Sequence, residues 1–166
     1  MVEAYELYGK FDEAIDAHQR FFGTPGPTLS LMAKGRLDEA QPLLEEAVKK
    51  NSGDLRARGR LALLFALRGK LQEAEAAIPS ILNEARNNRG YHHVTFDIAC
   101  IYALAGKTDE TVKWLRTTVD TGMANYPLFA RDQNLNRIRK EPAFIQFMTE
   151  LKTRWDGYQR EFNSLN

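Results

Sequence analysis

The chain has 166 residues, 43% of them hydrophobic and 27% charged, a composition that folds and a length that suits one domain or a short array of repeats. Its 23 basic and 22 acidic residues leave a formal charge of +1, against the concentrated positive charge of a nucleic-acid groove or a membrane-surface face. The single Cys100 cannot build a disulfide framework, and no apolar run approaches the length of a membrane span. The opening Met1-Val2-Glu3-Ala4-Tyr5-Glu6 lacks the basic flank and apolar core of a secretory signal, so a cytoplasmic location is expected.

Along the chain, the first punctuation is Gly9, in the segment Gly9-Lys10-Phe11-Asp12-Glu13-Ala14. The order Gly, basic, usually apolar, polar, Glu, small returns at Gly35-Arg36-Leu37-Asp38-Glu39-Ala40, at Gly69-Lys70-Leu71-Gln72-Glu73-Ala74 and at Gly106-Lys107-Thr108-Asp109-Glu110-Thr111. Each copy predicts a helix-turn-helix. The glycine closes one helix in a left-handed conformation. The Asp, or Gln72 in the third copy, is placed to cap the next helix, and Glu in the first turn complements the helix dipole. The small residue then lets two helices come close.

About eight residues precede Gly9, roughly half of a first helix, so the first copy is incomplete. Either the natural protein begins there or a larger one has been cut. The Gly23-Thr24-Pro25-Gly26-Pro27 connection cannot be helical and must shorten the helices beside it. Pro42 is expected in the first turn of its helix, and Pro79 is expected to kink the helix that starts near Gln72. From Gly35 to Gly69 is 34 residues, while the step to Gly106 is about three residues longer, with Asn87-Asn88-Arg89-Gly90 the place for the excess.

After Gly122 the pattern changes. Asn125-Tyr126-Pro127-Leu128-Phe129 leads into Asp132-Gln133-Asn134-Leu135, Ile138-Arg139 and Pro142-Ala143-Phe144. Pro142 opens a long helix, where Phe144, Phe147, Met148, Leu151, Trp155, Tyr158 and Phe162 form one apolar stripe. Lys152, Arg154, Asp156, Gln159 and Arg160 supply a polar outer face. This reads as a capping helix on the last repeat. A homodimer interface is the alternative.

The 34-residue period and the slots around it resemble the tetratricopeptide repeat family. Leu61, Ala62 and Phe65 fill that family's leucine, small and aromatic slots before Gly69, with Ala74 after it, and Ile98, Ala99 and Tyr102 do the same before Gly106, with Leu115 later. The departures are Arg58 and Thr95 in the first tryptophan slot, Ile81 and Thr118 in the later alanine slot, and Thr111 in the turn alanine. The resemblance covers residues 1–122, about 3.5 copies, with 123–166 as a connecting segment and cap of the same domain. It implies an all-α fold, a right-handed α-α superhelix. The Asp132 to Phe144 stretch is similar to the ending that follows such repeats in bacterial multidomain kinases and winged-helix regulators, with Gln133 where a proline usually sits.

The resemblance implies a non-catalytic scaffold that binds a protein or peptide partner in a concave groove lined by the first helix of each pair. The groove-facing slots fall on Leu29, Met32 and Ala33, then on Arg56, Gly59, Leu63, Ala66 and Leu67, then on His93, Phe96, Cys100, Ala103 and Leu104. Leu63, Leu67, Phe96 and Leu104 are the expected apolar floor, with Arg56 and His93 at the rim and Cys100 between. The asparagine slot of the family's carboxylate clamp holds Leu29, Leu63 and Cys100, so charge-assisted capture of a peptide carboxylate is not expected. An apolar helix or extended segment suits the surface better. The alternative is that these residues pack against neighbouring helices.

Chemistry finds little purchase. His92, His93, Asp97 and Cys100 share helical spacing, but no further Cys or His completes a zinc site, and Cys100 sits in an apolar context that leaves thiols inert. No phosphate-binding glycine loop is present. Arg131, Arg137, Arg139 and Lys140, interrupted by Asp132 and Glu141, are expected to form a solvated face. No cofactor, metal, nucleic acid or membrane partner is expected.

Overall fold

A computed structural model of the chain describes residues 2–22, 27–85 and 91–164, leaving aside the side chains at 3, 7, 85 and 162–164. The connections expected at Gly23-Thr24-Pro25-Gly26 and Asn87-Asn88-Arg89-Gly90, and the side chain of Phe162, lie outside the described residues. Among the described residues there is no strand. The chain divides into two compact units, Met1–Arg86 and Asn87–Asn166, so the expected junction at residue 122 falls inside the second.

The first unit holds α1 (Val2–Leu7), α2 (Phe11–Phe22), α3 (Thr28–Ala33), α4 (Leu37–Lys50), α5 (Leu55–Leu67) and α6 (Leu71–Ala85), each packed on the next. α3 has only six residues, as the close Gly9-to-Gly35 spacing requires. The second unit holds α7 (Tyr91–Leu104), α8 (Thr108–Asp120), α9 (Tyr126–Arg131), a 3₁₀ helix (Gln133–Ile138) and α10 (Pro142–Ser164). α7 packs on α8 and on the 3₁₀ helix, and α10 packs on α8 and α9.

The repeated glycines have the conformation the motif predicts. Gly9, Gly35, Gly69 and Gly106 have φ of 71°, 71°, 79° and 76°. At Gly69, its N–H donates to the Ala66 carbonyl at 2.9 Å and the Lys70 N–H reaches back to Phe65 at 2.9 Å. This pair of bonds satisfies the last carbonyls of the helix. The same pair recurs at Gly106, where Lys107 bonds to Tyr102 at 2.9 Å. Gly122 is a fifth closure of the same kind, with φ 120° and Met123 bonding to Thr118.

The basic residue after the glycine also contacts an aromatic ring. Lys70 lies 5.6 Å from the Phe65 ring centre, and Lys107 lies 5.8 Å from that of Tyr102. Backbone bond and cation–π contact thus tie the same two residues, which explains why a base follows the glycine and an aromatic precedes it by four.

The expected capping role of the motif's Asp is corrected. The helices start two residues earlier than such caps would place them, at Leu37 and Thr108, and Arg36 and Lys107 occupy the cap without a side-chain bond. Asp38 and Asp109 stand inside the first turn with Glu39 and Glu110, where they complement the dipole. Two of these aspartates also reach a base just before the next glycine: Asp12 pairs with Lys34 at 2.8 Å, and Asp38 pairs with Arg68. Pro42 is also corrected: it is the sixth residue of α4, beyond the first turn, and the carbonyl of Asp38 loses its helical donor there. Both residues are exposed, so water can bond that carbonyl. α6 continues through Pro79 to Ala85.

The small slots carry the close packing. Ala14, Ala40, Ala74 and Thr111 are all fully buried. Thr111 removes its polar cost by donating to the Lys107 carbonyl at 2.8 Å. Of the other departures, Ile81 is buried in the core and the polar ones are paired. Thr95 and Thr118, both fully buried, share a hydroxyl bond of 2.9 Å, and Thr118 also donates to the Trp114 carbonyl at 2.8 Å. Arg58 donates to Ser80 Oγ at 3.1 Å and to Glu84 at 2.9 Å, clamping α5 to α6.

The C-terminal segment closes the second unit as a cap. Asp132 accepts from the Asn134 N–H at 2.8 Å and starts the 3₁₀ helix, whose Leu135 and Ile138 are buried. Phe129 is fully buried, with Phe147 of α10 at 6.3 Å between ring centres. Pro142 is the first residue of α10, and Phe144, Phe147 and Leu151 are each 3% exposed. Further along, Trp155 is half-buried and Tyr158 is 46% exposed.

Candidate functional site

α5 and α7 are the helices that carry the expected groove. α5 begins at Asp54, whose carboxylate accepts from the Ala57 N–H at 3.0 Å. Past that cap Arg56, Arg58 and Arg60 alternate with small and apolar residues, and Leu55, Ala57, Gly59, Arg60, Ala62, Leu63, Leu64 and Ala66 are buried. α7 is buried continuously from Val94 to Ile101. A helix that is apolar all round belongs to an interior, and only part of its surface is left for a partner.

The seven expected residues fall accordingly. In the first unit, Arg56, Leu63 and Leu67 lie on one stripe of α5: Arg56 is exposed, Leu67 half-buried and Leu63 2% exposed. In the second, His93, Phe96, Cys100 and Leu104 follow one stripe of α7, with His93 and Leu104 half-buried and Cys100 fully buried. Phe96 is 8% exposed and its ring stacks on Phe129 at 5.1 Å and 10°. Leu63, Phe96 and Cys100 therefore serve the core. Arg56, Leu67, His93 and Leu104 are the members of the set that a partner can reach.

His93, Asp97 and Cys100 do share α7, but Asp97 and Cys100 are buried, and among the described residues no group of three His, Cys, Asp or Glu converges to hold a metal. The His93 ring lies 4.3 Å from that of its neighbour His92, between ring centres.

In the basic stretch near the C-terminus, Arg131, Arg137 and Lys140 are exposed, in keeping with a solvated face, and Arg139 is half-buried. Arg137 also donates to the Leu104 carbonyl at 2.8 Å, and Arg139 donates to the carbonyls of Asp132 at 2.5 Å and Phe129 at 3.5 Å. The Arg137 guanidinium lies so close to Gly106 that a Cβ there would meet its Nε at 2.9 Å. Charge spacing alone cannot signal such a role, because the acceptors are main-chain atoms with no side-chain identity.

Two surface depressions in the second unit lie between α8 and α10. One is lined by Val112, Arg116 and Ala143 among others, the next by Arg116, Val119, Phe147 and Leu151 among others. None of the seven expected groove residues lines either. Arg116 divides them, pairing with Glu150 at 2.7 Å and lying 5.5 Å from the Phe147 ring centre. The hydrogen bond from Arg116 holds the Glu150 carboxyl below its ordinary range, helped by a second bond from Gln146.

Among the described residues no helix is long and apolar enough to cross a membrane. Residues 31–95 match the family model for the tetratricopeptide repeat, a span that runs from α3 into the start of α7. No curated protein and no solved structure matches the chain. The helical hairpins, the glycine closures and this match together make the fold all-α and of tetratricopeptide type.

Proposed function

We propose that the chain is a non-catalytic scaffold that binds a protein partner through the first helices of its hairpins. Tetratricopeptide repeats generally mediate protein–protein interaction, and the match over residues 31–95 is the observation that carries the reading. The accessible apolar positions, Leu67 on α5 and Leu104 on α7, favour an apolar helix or extended segment as ligand, with Arg56 and His93 at the margins. No metal or cofactor enters this reading, and the compartment it fits is the cytoplasm.

Site-specific photo-crosslinking tests it. A photoreactive residue at position 67 of the first unit or 104 of the second is expected to capture a protein partner, and one at the exposed second-helix positions 46 or 72 is not. Leu67→Asp or Leu104→Asp, in chains that keep their helical content, should lose that capture. Equal yields from all four positions would rule the reading out.

A second reading is favoured by one observation. The Asp132 to Phe144 ending folds as a cap, with Asp132 starting the 3₁₀ helix, Arg139 tying it to α9, and Leu135, Ile138 and Phe144 buried. Its similarity to the endings in bacterial kinases and winged-helix regulators supports a regulatory module of a larger signalling protein. The coding sequence upstream of Met1 decides: an in-frame kinase or winged-helix segment supports it, and a stop codon in that frame removes it. Pairing of two copies through α10 is compatible with either reading.

A further inference from the structure

One stripe along the second helix of each hairpin can be followed copy by copy. In the third copy it runs through Ala74, Ile78 and Ile81 of α6, which are 0%, 3% and 1% exposed. In the fourth it runs through Thr111, Leu115 and Thr118 of α8, all 0% exposed. The opening turns of the first helix cover the far end of this stripe. Thr118 shares its hydroxyl bond with Thr95 of α7, and Arg58 of α5 reaches Ser80 and Glu84, beside Ile81.

In the first copy the same register selects Ala14, His18 and Phe21 of α2. Ala14 is fully buried, His18 is half-buried, and Phe21 is 63% exposed with Phe22 beside it at 67%. Cover runs out along α2 because α1 has six residues, about 9 Å of helix, against the twelve of α2, about 18 Å. α5 and α7, by comparison, have 13 and 14 residues.

A short first helix does not by itself call for phenylalanine. α3 is equally short, and the matching positions of α4 hold Ala47 and Val48, both half-buried. Under the long first helices the pairs are Ile81 with Leu82 and Thr118 with Val119. Phe21 and Phe22 exceed all of these in apolar surface. Two adjoining phenylalanines bared to this extent mark a surface that something covers. The third and fourth copies show what does so: the first two turns of a helix.

We propose that α1 is the C-terminal half of a longer helix, whose earlier two turns precede Met1 in the parent protein and lie over Phe21 and Phe22. Thr95 stands eleven residues before Gly106, and Arg58 eleven before Gly69. The same count back from Gly9 reaches the third residue before Met1. That residue is small, because Phe21 takes up the room that Thr118 leaves to Thr95. Whatever lies upstream is then joined through a continuous helix, which fixes its direction against α2 as a Gly- or Ser-rich linker would not.

The proposal rests on the reading of the chain as a module of a larger protein, but the two can fail apart. A kinase or winged-helix segment joined through a proline among the three residues before Met1 would keep that reading and overturn the helical joint. A helix that leads from neither kind of segment would do the reverse. A stop codon in that stretch of the frame removes both.

Thermal unfolding of the chain, alone and preceded by its ten upstream residues, gives the direct test. The longer form is expected to melt about 4 °C or more higher. Phe21→Asp should move the shorter form by no more than about 1 °C and lower the longer one by about 5 °C or more. Amide exchange from Gln19 to Phe22 should slow about tenfold or more in the longer form. Equal effects of Phe21→Asp on both forms, or unchanged exchange, overturn the proposal.

Discussion

At Gly106 two requirements meet in one residue. Its φ of 76° places it where any side chain is strained, and the Arg137 guanidinium occupies the space a Cβ would take. Gly69 has the same backbone conformation, with nothing within 4 Å. Gly69→Ala should therefore cost only the left-handed strain, about 1–2 kcal/mol. Gly106→Ala should cost roughly 1 kcal/mol more, because Arg137 must move and lose its bond to the Leu104 carbonyl. Urea denaturation of both variants measures the difference, and in an Arg137→Ala background it should vanish. Equal losses in the parent background would show that Arg137 yields freely. The glycine's role was legible from the repeated motif; Arg137's was not, since an arginine bonded to a carbonyl leaves no complementary residue to read. The aspartates were misread for a related reason. Their good capping chemistry suggested a helix start, but the bonds behind the glycine begin the helix two residues sooner.

Among the elements, α10 was the most legible. Its proline start, apolar stripe and polar outer face all stood in the residue order, and the buried Phe144, Phe147 and Leu151 follow it. The point at which the stripe leaves the interior was not legible, because that depends on where α8 ends. Phe147 is the keystone, adjoining Phe129, Phe144 and Arg116. Phe147→Ala should destabilise the chain by about 3–5 kcal/mol, read from denaturant unfolding. A loss below about 1 kcal/mol would mean that α10 is held by something else.

The Arg116–Glu150 contact between α8 and α10 makes a milder prediction about pH. A carboxyl whose folded pKa lies below its unfolded one contributes stability above the unfolded value and loses it as pH falls through the folded one. The contribution of this contact should thus fade in acid and be insensitive to alkali. Both groups are about half exposed, so the effect on stability is small, and the titration itself is the better readout. Carboxyl NMR should place the Glu150 midpoint below that of an ordinary glutamate, and Arg116→Met should move it up. An unmoved midpoint would refute Arg116 as the main cause.

For the whole molecule, periodicity was a good guide to fold, and it left open which groove slots face outward. Helical hairpins announce themselves through recurrent glycines and small residues, since every copy solves the same closure problem. Groove slots carry no such redundancy. In so short a chain the first helices must also build the core, so Leu63, Phe96 and Cys100 sit inside while Arg56, Leu67, His93 and Leu104 remain reachable. The balanced charge of +1 bears on partners at this scale. Fluorescence anisotropy should find no binding to duplex DNA or RNA at physiological salt, where phosphate contacts would dominate affinity. Tight binding that falls steeply with added salt would reverse that reading.

The segment that ends the chain holds on through grips that ignore residue identity. Arg137 takes the carbonyl at the end of α7, and Arg139 takes two more from α9 and the following turn. Beside Arg137, the turn of the helix it closes must hold a glycine. Joined behind another helical hairpin closed by glycine, such a stopper would find the same carbonyl, but it would also need an aromatic for Phe129 and a base for Phe147, as Phe96 of α7 and Arg116 of α8 supply here. An array lengthened by whole hairpins could keep its end only if the last hairpin carried that pair.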